Sequence, residues 1–375
     1  PLRARLLHPV FLMLAFLHVY IGMRLLMPLG PVAQAFGAAV LVACFWLLPK
    51  GWHVAQARAQ WQVLLPWITM GFFSWLLVLT VLRDLGVAAG ALLLPADVLD
   101  AWVRNSALLV IALVPAITVA GFLLARRTAP VVHVDVPLHG LPEALVGFVI
   151  AQISDVHVGP TIRRAFVEAM VARVNGLGAD MVAITGDLVD GSVHELGSHT
   201  QPLAGLASRH GTYFVTGNHE YYSGAPDWIR EMRRLGATVL LNEHVVLDHD
   251  GAPLAIAGVT DFSAHHFDPS HRSDAQAALA GAPLDSVKVL LAHQPRSAAA
   301  AAQAGAHLQL SGHTHGGQFW PWNHFVRLQQ PFTAGLRKLG HMSIYISRGT
   351  GYWGPPMRFG VPSEITRLRL VRAPA

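Results

Sequence analysis

The sequence predicts a two-part chain: an N-terminal all-α transmembrane region of four helices, followed by an α/β domain. Three observations lead there. Four stretches in the first third are apolar over roughly 20 residues, the length that crosses a ~30 Å hydrocarbon layer as a helix. Beyond residue 148, short β-branched runs alternate with helical spacing, the pattern of layered strands and helices. Across the 375 residues, 53% are hydrophobic and only 13% charged, about half the ~25% charged share usual for a soluble domain.

The apolar stretches cover residues 9–27, 31–48, 64–82 and 106–125. Met27-Pro28-Leu29-Gly30-Pro31 breaks the chain tightly between the first two, which reads as a transmembrane hairpin. Arg126-Arg127 closes the fourth. The mixed segment between Asp84 and Arg104 carries Asp97 and Asp100, so an interfacial or re-entrant piece is expected there rather than a fifth span. A cleaved signal peptide accounts for one apolar run but not four, and none of the four shows the polar face of a soluble helix. His18, inside the first stretch, is expected to be structural. The spans hold no set of intramembrane acids and no obvious repeat, so anchoring, or shaping a lipid-side entrance, is the expected role.

Four spans return both ends of this region to one side. Arg3, Arg5, Lys50, Arg58, Arg126 and Arg127 fall on that side, whereas Arg24, Arg83 and Arg104 on the other are offset by Asp84, Asp97 and Asp100. The basic excess leads to the expectation of an integral membrane protein with its second domain on the cytoplasmic side. The net charge of +5 is then bilayer-flanking charge, and the second domain has no Lys/Arg-rich groove for nucleic acid. The single cysteine, Cys44, lies in an apolar run and offers neither an internal disulfide nor a thiolate zinc site. The chain starts at Pro1 without an initiator methionine, so a few preceding residues are expected to be missing. The expected organisation is a transmembrane region over 1–127, a linker over 128–147 and a second domain over 148–371.

In the linker, Pro130, Pro137 and Pro142 interrupt a valine-rich stretch, giving an extended connector able to add an edge strand. Strands are expected at 148–153, 181–184, 213–215 and 287–291, and again at 343–347 and 364–371. Helical spacing covers 163–174 and 227–235, and the alanine-rich run at 297–306 reads as a covering helix.

Nearly every strand is followed at once by residue types that ligate metals. The runs are Ser154-Asp155-Val156-His157, Thr185-Gly186-Asp187, Thr216-Gly217-Asn218-His219-Glu220, Ala292-His293-Gln294 and Ser311-Gly312-His313-Thr314-His315. Open α/β sheets collect their sites at the carboxyl ends of strands, so these groups should converge. Asp-x-His and His-x-His send alternate side chains to one side of an extended segment. Carboxylate and amide oxygens mixed with imidazole suit divalent Mn, Fe or Zn, and a shared carboxylate would hold two ions about 3.5–4 Å apart. Taken singly these pieces are weak, because Asp-x-His is commonplace and the chain has 21 histidines. Five in this order, each at a strand end, are a strong signal.

Those residues resemble the full motif set of calcineurin-like metallophosphoesterases, over roughly 148–371. His315-Gly316-Gly317-Gln318, Ser347-Arg348-Gly349-Thr350-Gly351, Pro355-Pro356-Met357-Arg358-Phe359-Gly360 and Pro362-Ser363-Glu364-Ile365 are similar to the membrane-associated YkuE-like branch. Among animal proteins the resemblance is to transmembrane proteins with a metallophosphoesterase domain. The resemblance implies a two-sheet sandwich flanked by helices and two divalent metal ions. Asp155, His157 and His315 would hold the first ion, Asp187 would bridge, and Asn218, His293 and His313 would complete the second site. His219 would approach the substrate, as phosphate ligand or as proton donor to the leaving group.

Arg348 is a further candidate, either clamping a phosphate or forming a structural salt bridge. Phe319-Trp320-Pro321-Trp322 and Tyr352-Trp353 are expected either to wall an apolar substrate or to pack in the core. The expected activity is hydrolysis of a phosphodiester or pyrophosphate on a membrane lipid or lipid-linked substrate, since a soluble substrate would not need four spans. Two alternatives remain: a tethered general phosphodiesterase on soluble substrates, and a non-catalytic metal-bound scaffold or sensor. The expected partners are the bilayer and a phosphorylated substrate, with no nucleic acid.

Overall fold

The computed structural model describes residues 9–52 and 59–374. The chain separates into two compact units, Pro1–Arg126 with Gly354–Met357, and Arg127–Trp353 with Arg358–Ala375.

Among the described residues, the first unit contains four α-helices: α1 (Pro9–Leu25), α2 (Pro31–Leu47), α3 (Gln60–Ala91) and α4 (Ala96–Arg126). Pro31 opens α2 directly after Gly30, a position where proline loses no hydrogen bond and its fixed φ already suits a helix. Among the described residues, Pro31–Gly51, Gln60–Ala91 and Ala96–Arg126 are long and apolar enough to cross a membrane. Helix α1, at 17 residues, sits at the lower limit of about 17 for a span. Arg3, Arg5 and Arg58, which entered the sidedness argument, lie outside the described residues.

The segment between Asp84 and Arg104 is almost wholly helical: α3 continues to Ala91 and α4 starts at Ala96, leaving only residues 92–95 between them. At its start, Asp84 is paired within the helical unit. Tyr20 Oη and Arg24 Nε both donate to Asp84 Oδ2 at 2.7 Å, and Arg83 Nη1 donates to Asp84 Oδ1 at 2.7 Å. Asp97 falls in the first turn of α4, where the helix dipole favours a carboxylate.

The second unit is built from two six-stranded sheets. Its strands are β1 (Val131–Leu138), β2 (Val149–Ile153), β3 (Met181–Ile184), β4 (Thr212–Phe214), β5 (Ala237–Val239), β6 (Glu243–His249), β7 (Ala252–Gly258), β8 (Val287–Leu291), β9 (Leu308–Ser311), β10 (Gly335–Leu339), β11 (Met342–Ile346) and β12 (Ile365–Arg372). One sheet has the order β1-β12-β2-β3-β4-β5 and the other β10-β11-β9-β8-β7-β6. The connector after the last helix supplies β1, which pairs parallel to β12 at the sheet edge. Alternate residues of both sheets meet in one core, with Ile150, Ala183 and Leu368 from the first and Ile256, Leu291 and Leu310 from the second all fully buried. Each large aliphatic side chain buried this way stabilises the fold by roughly 1.5–3 kcal/mol.

Helices flank this sandwich. In α5 (Arg164–Asn175), Val167, Met170, Val171 and Val174 are buried at helical spacing. The alanine-rich run gives a helix at Ala298–Gln303, whose Ala298 and Ala301 pack with Leu290, Ile344 and Ile346 on the outer face of the second sheet. Strands β2, β3 and β4 run parallel, as do β8 and β9, so within each sheet their carboxyl ends open at one edge.

Candidate metal centre

The loops at those carboxyl ends carry every ligand expected from sequence. The atoms of Asp155, His157 and His315 lie within 4.8 Å of one another, and so do those of Asp187, His293 and His313. Asp187 Oδ2 stands 3.1 Å from His293 Nε2 in its own group and 3.9 Å from His157 Nε2 in the other. Its Oδ1 accepts the His219 backbone N–H at 2.9 Å. The Asp155 carboxylate accepts the His313 backbone N–H at 2.8 and 3.1 Å, tying the first loop to the last.

The local backbone is bent to do this. Asp155, His157, Asp187, His313 and His315 all have left-handed φ values, from 50° to 69°, a conformation costing a non-glycine residue roughly 1–3 kcal/mol. Gly312 makes the closest approach possible, because a Cβ there would collide with Ser154 Oγ and Asp155 Oδ2.

The donors fit divalent cations. His157 Nε2 and His315 Nε2 are 3.0 Å apart, and His313 Nδ1 and His293 Nε2 are 3.2 Å apart. Nitrogens each about 2.0–2.1 Å from one ion stand at roughly such separations. Asn218 Oδ1 is buried without a hydrogen-bond partner, a state that costs about 1–3 kcal/mol unless something else satisfies the oxygen. Burial, with the charge of His293 adding to it, lowers the His313 pKa to about 3 and keeps its lone pairs free of protons. Burial would raise Asp187, but the charge and hydrogen bond of His293 hold its carboxyl well below the usual range.

His219 lies beside these two groups and is not among the three residues of either. Its Nδ1 is 2.6 Å from Asp190 Oδ1, and its Nε2 is 3.9 Å from Asp187 Oδ2. Burial would lower its pKa, but the hydrogen bond to Asp190 and the charges of Asp187, Asp190 and Glu220 lift it to about 9. His157, Asp190 and His219 form a third close group. In it Asp190 Oδ1 stands 2.6 Å from His219 Nδ1 and 2.9 Å from His157 Nδ1, hydrogen-bond lengths.

Three residues were given no role in the sequence reading. Asp190 follows Asp187 by three residues and orients two histidines. Glu220, the last residue of the Gly217-Asn218-His219-Glu220 run, accepts the backbone N–H groups of Asp187, Leu188 and Gly217 at 3.0, 2.7 and 2.6 Å. Burial and the Asp187 charge raise it to about 7. Arg358 is 1% exposed and donates from Nη1 to the carbonyls of His315 and Arg348 at 3.0 and 2.7 Å, fixing the loop of the last ligand. Burial lowers its pKa to about 9.

Arg348 is engaged in an ion pair. Its Nε and Nη2 both reach Glu364 Oε2 at 2.6 Å, the salt-bridge alternative of the two raised for it. The aromatics divide as well: Phe319 and Tyr352 are buried, whereas Trp353 is 55% exposed with its ring centre 5.7 Å from that of His219.

Comparison with known proteins bears on this arrangement. Residues 148–317 match the model of the calcineurin-like phosphoesterase family. A Bos taurus transmembrane protein with metallophosphoesterase domain is 42% identical over 69% of this chain and 61% of its own length. An Aquifex aeolicus uncharacterized metallophosphoesterase is 36% identical over 58% of this chain and 82% of its own, and the Bacillus subtilis uncharacterized metallophosphoesterase YkuE is 28% identical over 61% and 81%. The chain thus spans about three fifths of the first animal relatives, 61% in each of two. With that matched segment, and a relative covered over most of its length, the chain belongs to the calcineurin-like metallophosphoesterase family.

Proposed function

We propose that this chain is a dinuclear metal-dependent hydrolase of phosphodiester or pyrophosphate bonds, acting on a membrane lipid or lipid-linked substrate at the cytoplasmic face of a bacterial inner membrane. The observation that carries this reading is Asp187, whose Oδ2 lies within 3.9 Å of imidazole nitrogens from both ligand groups and of His219.

Asp155, His157 and His315 would hold one ion and Asn218, His293 and His313 the other, with Asp187 shared between them. The mixed oxygen and nitrogen donors accommodate Mn, Zn or Fe. Two bound divalent cations would neutralise the phosphate oxygens and activate a water for in-line attack. His219, protonated and oriented through Nδ1 by Asp190, would give the proton on Nε2 to the departing oxygen. General acid catalysis of this kind contributes about 10²–10⁴-fold.

Two features support a lipid substrate. The first unit supplies apolar helices long enough to span a bilayer. At the catalytic centre, an exposed aromatic rim begins at the proton donor. The ring of Tyr222 is 5.1 Å from that of His219, Phe267 is 5.5 Å from Tyr222, and Trp353 is 5.7 Å from His219 on another side. These three are 61%, 53% and 55% exposed, an apolar surface on the side where the leaving group departs.

Detergent-purified full chain, assayed for metal content and for hydrolysis of bis(p-nitrophenyl) phosphate and radiolabelled lipid extracts with Mn added, tests the whole reading. About two ions per chain are expected, both lost or mis-seated in Asp187→Asn. Full activity of that variant would sink the dinuclear centre. Turnover of soluble diesters with no release from any lipid fraction would leave a tethered general phosphodiesterase. Full metal loading with no turnover of any phosphoester would leave a scaffold.

A further inference from the structure

The helical unit contains a cleft of 580 Å³ between α3 and α4 whose lining changes character along its length. Arg83, Trp102, Asn105 and Ser106 line the end nearer the 92–95 turn, and Leu79 and Leu113 line the other. Arg83 Nε donates to Ser106 Oγ at 3.2 Å and Nη2 to the Val103 carbonyl at 2.8 Å, which fixes the level at which the two helices face each other. The apolar spans expected from sequence, 64–82 and 106–125, both stop at this level, which would put the edge of the hydrocarbon layer there. Leu79 and Leu113 lie one to two turns deeper, roughly 6–10 Å at 1.5 Å per residue. Trp102, 47% exposed, sits at the boundary where indole rings concentrate.

Among the described residues, Arg83 is the one charged residue that lines the cleft, and Asp97 and Asp100 are not among its lining residues. Arg24 and Arg83 share a single carboxylate, Asp84, with the Tyr20 hydroxyl also donating to it. Each Arg83 nitrogen makes one of its bonds to Ser106, Asp84 or Val103, while both Nη atoms carry a second N–H. An uncompensated positive charge at the edge of hydrocarbon is costly, and an anion beside it removes that cost.

We propose that this cleft holds one anionic phospholipid, its phosphate beside Arg83, Asn105 and Ser106 and an acyl chain along Leu79 and Leu113. The order of the lining, charge at the boundary and leucine below it, matches the order of groups in a lipid. This site is separate from the metal centre: it contains none of the ligand loops and would act by holding α3 against α4.

Native mass spectrometry of the full chain with equal phosphatidylglycerol and phosphatidylcholine, and thermal unfolding with each lipid or with inorganic phosphate, tests it. The wild type should retain phosphatidylglycerol about fivefold over phosphatidylcholine, the worth of one basic side chain at a lipid surface, and should be stabilised by that lipid but not by free phosphate. Gly86→Leu fills the cleft, since a Cβ there meets nothing nearer than Trp102 at 4.0 Å, and should abolish retention while unfolding normally in lipid-free detergent. Arg24→Gln leaves the cleft's shape and removes the second arginine on Asp84, so it should bind both lipids alike. Equal retention of the two lipids by the wild type would overturn the proposal. So would undiminished phosphatidylglycerol retention by Gly86→Leu, or undiminished preference in Arg24→Gln should the first variant not fold. Stabilisation by inorganic phosphate equal to that by the lipid would replace it with a free-anion site.

Discussion

Asp190 Oδ1 lies 2.6 Å from His219 Nδ1 and 2.9 Å from His157 Nδ1, so one carboxylate orients both a candidate ligand and the candidate proton donor. Burial alone would raise Asp190, but the charge of His157 and the hydrogen bonds from both imidazoles hold it at about 2. It is therefore ionised throughout the useful pH range. Without metal ions the His219 proton persists up to about pH 9 and is lost as pH rises through that value; bound cations would move that loss to lower pH. Asp190→Asn removes the main support of that shift. Turnover should fall about 10–100-fold, the usual cost of losing such an orienting partner, and the basic limb of kcat should move to lower pH. A pH–rate profile of the metal-loaded variant with its basic limb unmoved would separate this pair from proton transfer.

Asn218 gives a prediction with opposite signs in two states. Its Oδ1 is buried and unpartnered without a metal, so in metal-free protein the amide costs about 1–3 kcal/mol. Asn218→Leu, close in volume, should leave the chelated protein as stable as wild type or more so. The same change removes an oxygen ligand, so the variant should gain less stability from added Mn, because binding to the folded state stabilises by about 2.7 kcal/mol at a hundredfold excess over Kd. Melting with and without EDTA, alongside metal analysis, reads both effects. Wild-type metal content in the variant would remove Asn218 from the ligand set.

Much of this was legible in the sequence because it depends on local order. Asp155-x-His157 and His313-x-His315 announce themselves by spacing, and β2, β3 and β8 by short, mostly apolar runs containing Val or Ile. The partners that hold the ligands were less visible, since Glu220 and Arg358 act through backbone groups 32 and 43 residues away in sequence. No spacing rule reaches that far. The β6–β7 hairpin went unread although Asp250-Gly251, with φ values of 53° and 86°, has the residues of a tight two-residue turn. The flanking strands Glu243–His249 and Ala252–Gly258 mix histidine, aspartate and proline with aliphatics and blur the alternation. Asp97 and Asp100 hid the start of α4 at Ala96, although an acid in a first turn, as Asp97 is, stabilises a helix.

Gly312 should be intolerant of the smallest side chain. An added Cβ would strike Ser154 Oγ and Asp155 Oδ2, both in fully buried residues with no solvent to move into. Overpacking of this kind costs about 1–3 kcal/mol, and here it also displaces a candidate ligand. Gly312→Ala should therefore lower both the melting temperature and the metal content. Gly205→Ala is the control, since its Cβ would meet only Val171 at 3.8 Å. Equal behaviour of the two variants would show that the close approach of the first and last ligand loops is not required.

The aromatic rim separates lipid from soluble substrates without touching a metal ligand. Tyr222, Phe267 and Trp353 are more than half exposed, so replacing them with alanine removes little from the core and should leave stability within about 0.5 kcal/mol. If the departing group is apolar, it gains contact with these rings in proportion to the area it covers, about 25 cal/mol per Å². A small soluble diester reaches the same metals and the same His219 without spreading over the rim. Trp353→Ala combined with Phe267→Ala should therefore lower kcat/KM for a lipid-linked diester by about tenfold or more, equivalent to roughly 1.4 kcal/mol. The loss should fall mainly in KM. Hydrolysis of bis(p-nitrophenyl) phosphate should be unchanged, which also controls for the integrity of the metal centre. Equal losses on both substrates would assign the rings to positioning His219 itself, through the 5.7 Å contact with Trp353, and would withdraw their support for a lipid.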